Sequence, residues 1–497
     1  MNVPARIDNA LPRLSALLAG IADAPPVEVH ELASDSRRLG SGAVFLACRG
    51  ARSHALEHLD AALAARLAAI VWDADPDVAP PAGVTAVAVP GLKARLGEIA
   101  DRYFGEPSRT VRVSGVTGTN GKTTVAWLLA QARERLGQRT AYIGTLGAGL
   151  DDIATATGLT TPDCVELHRL LAEFRDAGAR HAALEVSSHG LAQGRIDGVR
   201  IDSALFTNLS RDHIDYHGSM QAYFDSKARL FTDFAAARRV ICVDDEYGRR
   251  LAERCGRDAV RVASSPLTAT GDAPYVCARR ARPGDTGMAL ELGSSWGDGR
   301  VTLPLYGRFN VANALLVLGA LAADGVEFQD ALDLLACMQP PPGRLQRVAS
   351  GARQPQVFVD YAHTPAALAA ALDALRPHCD GRLWCVFGCG GDRDRGKRPD
   401  MGRVVAGGAD CPVLTSDNPR GENPAAIMRD VQAGVGEELI AIEDRAAAIA
   451  WAIRHADETD VVLIAGKGHE DYQVIGDRRL PFSDYHVAAK ELARVRQ

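Results

Sequence analysis

Residues 117–124, Thr-Gly-Thr-Asn-Gly-Lys-Thr-Thr, join glycines, hydroxyls and one lysine between an apolar run and a helical pattern. Gly118 and Gly121 let a backbone approach an anion closely. Lys122 and Thr123 fall where the helix begins, and a helix start offers unpaired N–H groups and the positive end of a dipole. Gly118, Thr119, Asn120, Gly121, Lys122, Thr123 and Thr124 are therefore candidate phosphate ligands. Lys122 would reach the outer phosphates, and the Thr123 hydroxyl would ligate a phosphate-bound magnesium ion. The usual P-loop spacing wants glycine at 116, where this chain has Val116.

Other polar groups follow apolar strands. Glu185, after 182–184, could complete a magnesium site with Thr123. Residues 207–217 crowd two histidines, two aspartates, an arginine and an asparagine into eleven positions. That density is unusual for a structural loop, since buried polar groups need partners, and His213 is its candidate metal ligand or base. Lys227, in the helical stretch 223–230, reads by itself as a surface lysine. In 360–365, Tyr361 and His363 could flank a nucleotide with Asp360 near ribose or metal; equally, the stretch could only lead into the helix after Pro365.

Residues 388–398 hold four basic groups, two acids and four glycines, and Asp417-Asn-Pro-Arg420 ends a later strand. Arginine forks bind carboxylates bidentately, so these loops predict a small carboxylate-bearing substrate. Glu470, in 466–470, supplies an acid suited to an ammonium group. Cations and an anion on one rim would fit an amino acid.

The elements that must carry these loops are α/β throughout. Strands are expected at 43–47, 69–72 and 84–89, with helices at 56–68 and 92–104. A second unit has strands at 141–144, 182–186, 204–207 and 240–243, helices at 165–174 and 310–323, and a turn-rich antiparallel excursion over 266–296. A third has strands at 357–359, 383–387, 412–415 and 461–464, with helices at 366–375, 424–435 and 446–455. Alternating strands and helices predict mainly parallel sheets, whose ligands bind at the carboxyl ends of strands. The Pro-rich 339–343 segment marks a hinge. The expected domains are 1–108, 109–342 and 343–497.

The chain has 497 residues, 47% apolar and 24% charged, with net charge −6. That is a globular composition without a basic footprint for nucleic acid. Ten cysteines lack metal or redox spacing and read as free thiols of a reducing compartment. No signal peptide is read at the N-terminus, and the apolar stretch 61–72 is interrupted by Arg66 and too short for a bilayer. A cytoplasmic protein without membrane insertion is expected.

In order, Asp35-Ser-Arg37, Thr117–Thr124, Thr160-Thr-Pro162, Glu185-Val-Ser-Ser-His-Gly190, Asn208–His213, Asn310-Val-Ala-Asn313, Gly343-Arg344, Asp360–His363, Asp417–Arg420 and Gly466–Glu470 resemble the Mur ligases over nearly the whole chain. The likeness is strongest to members that add meso-diaminopimelate to UDP-N-acetylmuramoyl-L-alanyl-D-glutamate. It implies a small N-terminal UDP-sugar-binding α/β domain, a central P-loop-like ATPase domain and a C-terminal Rossmann-like domain for the acceptor amino acid. By resemblance, Ser36, Ala51, Arg52 and Ser53 hold the UDP-sugar. Thr160, Thr161, Ser187, Gln193 and Arg195 hold its pyrophosphate and peptide arm, and Asn313, Arg344 and Asp360 contact ATP. Lys227 matches a carbamylated lysine (N6-carboxylysine) that helps hold a second magnesium ion near His213, which reverses the surface reading. Arg393, Asp417, Asn418, Pro419, Arg420, Gly466 and Glu470 form the acceptor pocket. Some relatives carry asparagine where this chain has Leu159, so no role for that side chain is carried over.

The implied reaction is ATP- and Mg2+-dependent amide ligation through an acyl phosphate, in peptidoglycan precursor synthesis, by a monomer. Lys122, Glu185, His213 and Lys227 are its expected catalytic set. An L-lysine-adding ligase and folylpolyglutamate synthase are near rivals. A P-loop NTPase that makes no bond is a rival of another class.

Overall fold

The structure, a computed structural model, describes residues 11–50, 53–75, 77–153, 155, 157–267, 271–351, 353–436 and 439–495. It divides into two compact units, residues 1–262 with 270–274, and residues 263–269 with 275–497.

The first unit opens with a parallel sheet of β1 (Glu31–Ala33), β2 (Ala43–Ala47), β3 (Ala69–Trp72) and β4 (Ala86–Ala88), in that order. Alternate residues feed opposite faces, as the two-residue period of a strand requires. Val44, Leu46 and Val71 pack with Ile99 and Tyr103 of the helix Leu96–Tyr103, while Phe45, Ala47 and Ile70 pack with Leu56 and Ala64. The helix expected over 56–68 is instead two short turns, Ala55–His58 and Ala61–Ala64. Asp60 breaks the run: its backbone is extended, and its carboxylate caps the second turn through Leu63 N. The helix expected at 92–104 likewise begins as a 3₁₀ turn, Leu92–Arg95.

The same unit holds β5 (Arg112–Thr117), β6 (Thr140–Gly144), β7 (Gly147–Gly149), β8 (His181–Glu185), β9 (Ile201–Phe206), β10 (Arg238–Cys242) and all but the last residue of β11 (Ala259–Ala263). Their order is β11-β10-β9-β5-β8-β6-β7, parallel except for the hairpin partner β7. The chain leaves β5 towards β6 and β8 on one side and later lays β9 on the other. Beside β5 the winding reverses, and that is where open α/β sheets leave a crevice at their carboxyl edge.

In the second unit, β12 (Tyr275–Gly284), β13 (Gly287–Ser294) and β14 (Gly297–Leu303) form an antiparallel meander, where the sequence suggested a small excursion. A six-stranded sheet follows, from β15 (Gln346–Val348), β16 (Gln356–Asp360), β17 (Leu383–Phe387), β18 (Cys411–Leu414), β19 (Ile440–Ala441) and β20 (Val461–Ala465). Its order is β15-β16-β20-β17-β18-β19, and only β15 is antiparallel. Phe358, Cys385, Phe387 and Leu463 meet the helices Pro365–Leu375, Lys397–Gly408 and Pro424–Gln432 on one face. Val357, Val359, Val386 and Ile464 meet Arg445–His455 and Asp484–Val495 on the other. A separate two-stranded hairpin of β21 (Tyr472–Ile475) and β22 (Arg478–Pro481) meets Arg420 through a bridge at Ile475. This doubly covered parallel sheet is the α/β class expected.

Candidate functional site

The loop after β5 has the backbone geometry of an anion cradle. Gly118 and Gly121 have φ of 145° and 87°, and Gly121 caps the helix Lys122–Arg135. A Cβ on Gly118 would lie 1.8 Å from Thr207 Oγ1, so the neighbouring strand end comes close enough to demand glycine. The loop after β9 clamps the cradle: Thr119 N donates to Asn208 O at 2.8 Å, Asn120 N to Asn208 Oδ1 at 3.0 Å, and Thr207 Oγ1 to Asn120 O at 2.6 Å. Lys122 Nζ donates to the carbonyls of Gly118 and Thr119 at 2.9 and 2.8 Å.

Thr123 and Glu185 meet as expected. The Thr123 hydroxyl donates to Glu185 Oε2 at 3.0 Å. Glu185 is fully buried at the end of β8 and also accepts from the Tyr142 hydroxyl, and from Thr145 N at 2.9 Å and Thr145 Oγ1 at 3.2 Å. A carboxylate and a hydroxyl beside a phosphate cradle suit Mg2+, a hard cation that keeps several waters and takes few protein ligands. Among the described residues no three His, Cys, Asp or Glu side chains group to hold a metal by themselves.

Lys227 is not on the surface. It lies on the helix Met220–Thr232, 1% exposed, with Nζ donating to Gly118 O at 2.6 Å and lying 4.6 Å from the Tyr223 ring centre. Burial, then repulsion from Lys122, hold its ammonium well below the usual lysine range. That shift favours the uncharged amine, the form that reacts with carbon dioxide. His213, at φ 53°, is half exposed, with its ring 6.1 Å from Tyr223 and 4.8 Å from His189. Left-handed backbone in a non-glycine residue costs free energy and is found at functional loops.

A second cluster follows β8. Thr161 Oγ1 donates to Glu185 O at 2.8 Å and accepts from Ser187 N at 2.9 Å. Arg195 Nη1 donates to Thr161 O at 2.8 Å, and its Nη2 to Gln193 Oε1 at 2.6 Å. Thr160 Oγ1 lies 3.1 Å from Thr145 Oγ1. All five residues expected to hold the pyrophosphate and peptide arm thus sit in one network beside Glu185. Ser36 and Ser53 follow the adjacent strands β1 and β2; Ser36 opens the turn Ser36–Arg38, and Ser53 Oγ lies 2.9 Å from His58 Nε2. Ala51 and Arg52 lie outside the described residues.

In the second unit, Asp360 ends β16. It accepts from Leu345 N at 2.7 Å and Ala362 N at 2.8 Å, while burial pushes its carboxyl up, opposed by Arg344. The Arg344 guanidinium lies 4.8 Å from the Tyr361 ring centre. Tyr361 also faces His363 and His469. Asn313 is buried on the helix Arg308–Ala323 and donates to Asn310 Oδ1 at 3.0 Å.

The acceptor candidates line the carboxyl ends of adjacent strands β17, β18 and β20. Arg420 has φ 51°, and its Nη1 donates to Gly391 O at 2.9 Å. A Cβ on Gly390 would lie 2.9 Å from that same Nη1 and 3.9 Å from Arg393 Cγ, so the two arginines share one glycine floor. Asp417, Asn418 and Pro419 are buried, and Asn418 Nδ2 donates to Glu470 Oε2 at 2.8 Å. Gly466, at φ 122°, leaves room for the Asp417 carboxylate, which a Cβ would approach to 2.4 Å. Arg398, counted in sequence among the loop's cations, belongs to the helix Lys397–Gly408 and is fully buried. It binds Glu422 and Asp430 at 2.8 Å each, so it fastens the loop and presents no charge to a ligand. In sequence, one lysine among glycines gives no sign of burial, yet Lys467 is 0% exposed between Asn418 and Glu470.

The sequence matches the Mur ligase middle domain over residues 116–321 and the Mur ligase glutamate ligase domain over residues 343–468. It is 47% identical to the UDP-N-acetylmuramoyl-L-alanyl-D-glutamate--2,6-diaminopimelate ligase of Chromobacterium violaceum, covering 93% of this chain and 94% of that protein. The Pseudomonas aeruginosa protein of the same name is 46% identical, with 94% and 95% covered. A solved structure of a ligase of that name superposes with a TM-score of 0.73 at 34% identity, covering 98% of this chain and 100% of the other. By these matches, the chain belongs to the Mur ligase family.

Proposed function

We propose that this protein is an ATP-dependent ligase joining meso-diaminopimelate to the D-Glu γ-carboxylate of UDP-N-acetylmuramoyl-L-alanyl-D-glutamate, releasing ADP and phosphate. The observation that carries the reading is the acceptor rim: Arg393 and Arg420 over one glycine floor, with Glu470 on the neighbouring strand end, in a chain 47% identical to a ligase of that name. A second amino-acid head needs both signs of charge. L-Lysine would leave the guanidinium of Arg420 without its anion and beside an ammonium.

A carboxylate oxygen of D-Glu attacks the γ-phosphorus of ATP, and the bond to the ADP oxygen breaks. Lys122 and the backbone N–H groups of the cradle meet the charge that develops. The acceptor amine then attacks the acyl carbon, the C–O bond to phosphate breaks, and the nitrogen gives up its proton. Thr123 and Glu185 would hold one magnesium ion, and Lys227 as its carbamate with His213 a second; bound there, the metal would neutralise phosphate charge. Thr160, Thr161, Ser187, Gln193 and Arg195 hold the peptide arm and pyrophosphate, Ser36 and the 51–53 turn hold the UDP-sugar, and Asn313, Arg344 and Asp360 hold ATP.

The enzyme acts as a cytoplasmic monomer, with functional domains at 1–108, 109–342 and 343–497. Among the described residues no helix is long and apolar enough to cross a membrane.

Phosphate release with ATP, magnesium and the UDP-dipeptide tests the reading. Turnover with meso-diaminopimelate and not with L-lysine is the expected result. Turnover with lysine alone would overturn the acceptor assignment, and release that ignores both amines would point to an NTPase.

A further inference from the structure

Lys467 has no part in the reaction above, yet it is a fully buried cation. Such a charge persists only where fixed partners compensate it. Its Nζ donates to Asn418 Oδ1 and to Glu470 Oε2, both at 3.0 Å, and lies 5.5 Å from the Tyr472 ring centre. Asn418 Oδ1 also accepts from Val474 N at 2.9 Å, and Asn418 Nδ2 donates to the same Glu470 oxygen at 2.8 Å. The amide can face only one way: a flip would set its NH2 against the ammonium and the Val474 N–H. Glu470 Oε2 is committed to two donors, which leaves Oε1 to receive one from a ligand.

The backbone repeats the clamp. Arg420 N donates to Val474 O at 3.0 Å, Gly476 N to Arg420 O at 2.7 Å, and Gln473 Nε2 to Asp417 O at 2.7 Å. Residues 467–476 therefore hold the segment 417–420 by side chain and by main chain together.

We infer that Lys467 is a positioning residue for acceptor selection: its ammonium locks Asn418 and Glu470 in the arrangement that receives the distal amino-acid head. The inference rests on the acceptor reading proposed above. Lys467 also sets the charge of the pocket. With it, Glu470 is a compensated acid that can bind one ammonium beside Arg420. Without it, the pocket is more acidic, loses the fixed amide and discriminates less against an acceptor with a bare cationic tail.

The test is steady-state kinetics of wild type, Lys467→Met, Glu470→Gln and the double variant, with KM determined separately for ATP, the UDP-dipeptide and meso-diaminopimelate, and turnover measured with L-lysine. Lys467→Met is expected to raise the acceptor KM by about 10- to 100-fold, the scale of a buried charge-assisted hydrogen bond. The other two KM values should stay within about two-fold, and the preference over L-lysine should narrow. Because both residues act on one pocket, the double variant should fall short of the product of the single effects. Should Lys467→Met be insoluble, Lys467→Gln, which keeps a donor, carries the same measurement. An unchanged acceptor KM, a uniform loss across all three substrates, or failure of both variants to fold overturns the positioning role. Wild-type protein that ignores meso-diaminopimelate overturns the acceptor reading and this inference with it, whereas normal wild-type selectivity with an unaltered variant overturns this inference alone.

Discussion

Lys227 Nζ donates a 2.6 Å hydrogen bond to the carbonyl of Gly118, inside the glycine-rich turn after β5. The pair joins the helix Met220–Thr232 to the end of β5, and its burial favours the uncharged amine. Lys227→Ala is expected to lower ligation at least about 100-fold, the scale of removing one electrostatic element from an active site. If the functional group is a carbamate, millimolar formate or acetate should restore part of the lost phosphate release in Lys227→Ala. Rescue by methylamine in place of carboxylates would identify the plain amine as the working form.

Glu185 is buried among the hydroxyls of Thr123 and Tyr142 and the Thr145 amide, all of which donate to it. Glu185→Gln keeps the volume but turns one acceptor into a donor that faces donors. The expected cost is about 1–3 kcal/mol of stability. Turnover should fall with a rise in the magnesium concentration for half-maximal rate, read from a magnesium titration at saturating ATP. An unaltered magnesium dependence would remove Glu185 from the metal site.

Arg420 holds a left-handed φ of 51° while its backbone pairs with β21, so both the strain and the fork serve one orientation. Arg420→Lys keeps the charge and loses the fork. A rise of about 10- to 100-fold in the acceptor KM is expected, with the KM for ATP unmoved. Equal effects on both substrates would mean that Arg420 supports folding alone.

Gly466→Ala tests the room beside Asp417. The new Cβ would lie 2.4 Å from Asp417 Oδ2 at a φ of 122°. Either the carboxylate shifts or the strand end does, and both disturb the acceptor pocket. Calorimetric titration with meso-diaminopimelate should show weakened binding; unchanged affinity would exclude Asp417 from the pocket.

Burial, with Glu106 nearby, pushes the Asp101 carboxyl up to about 6, and Oδ1 lies 3.8 Å from Nε2 of the buried His168. An acid with a raised folded pKa favours the proton in the folded state. The cost of ionising it is absent below the ordinary carboxylate value of about 3.9, grows as pH rises, and is complete above about 6. Asp101→Asn should therefore raise Tm near neutral pH and lose that advantage at about pH 4. Because the group is partly screened by solvent, the gain should be about 1 kcal/mol, or about 3 °C. Equal offsets at both pH values would show that Asp101 titrates normally.

Much was legible in the chain because its signals are local. The strand-turn-helix around Gly118, Gly121 and Lys122, the apolar runs of β17 and β20, and the Pro365 helix start each depend on neighbours in sequence. The ordered motifs identified the family before any geometry was known. The helix expected at 56–68 failed because one residue, Asp60, favours a cap over continuation.

What only the tertiary structure decided is the company that charged residues keep. By itself Lys227 reads as a surface lysine, Arg398 as one of a loop's ligand-facing cations, and Lys467 carries no reading at all, yet all three are buried. Nothing in their flanking residues says so, because burial comes from segments far along the chain: the Gly118 turn for Lys227, Glu422 and Asp430 for Arg398, Asn418 for Lys467. Types and spacing determine which elements form and what chemistry is available. The desolvation and pairing that disfavour a lysine's charge or fix it as a clamp depend on distance in space, which only the folded chain sets.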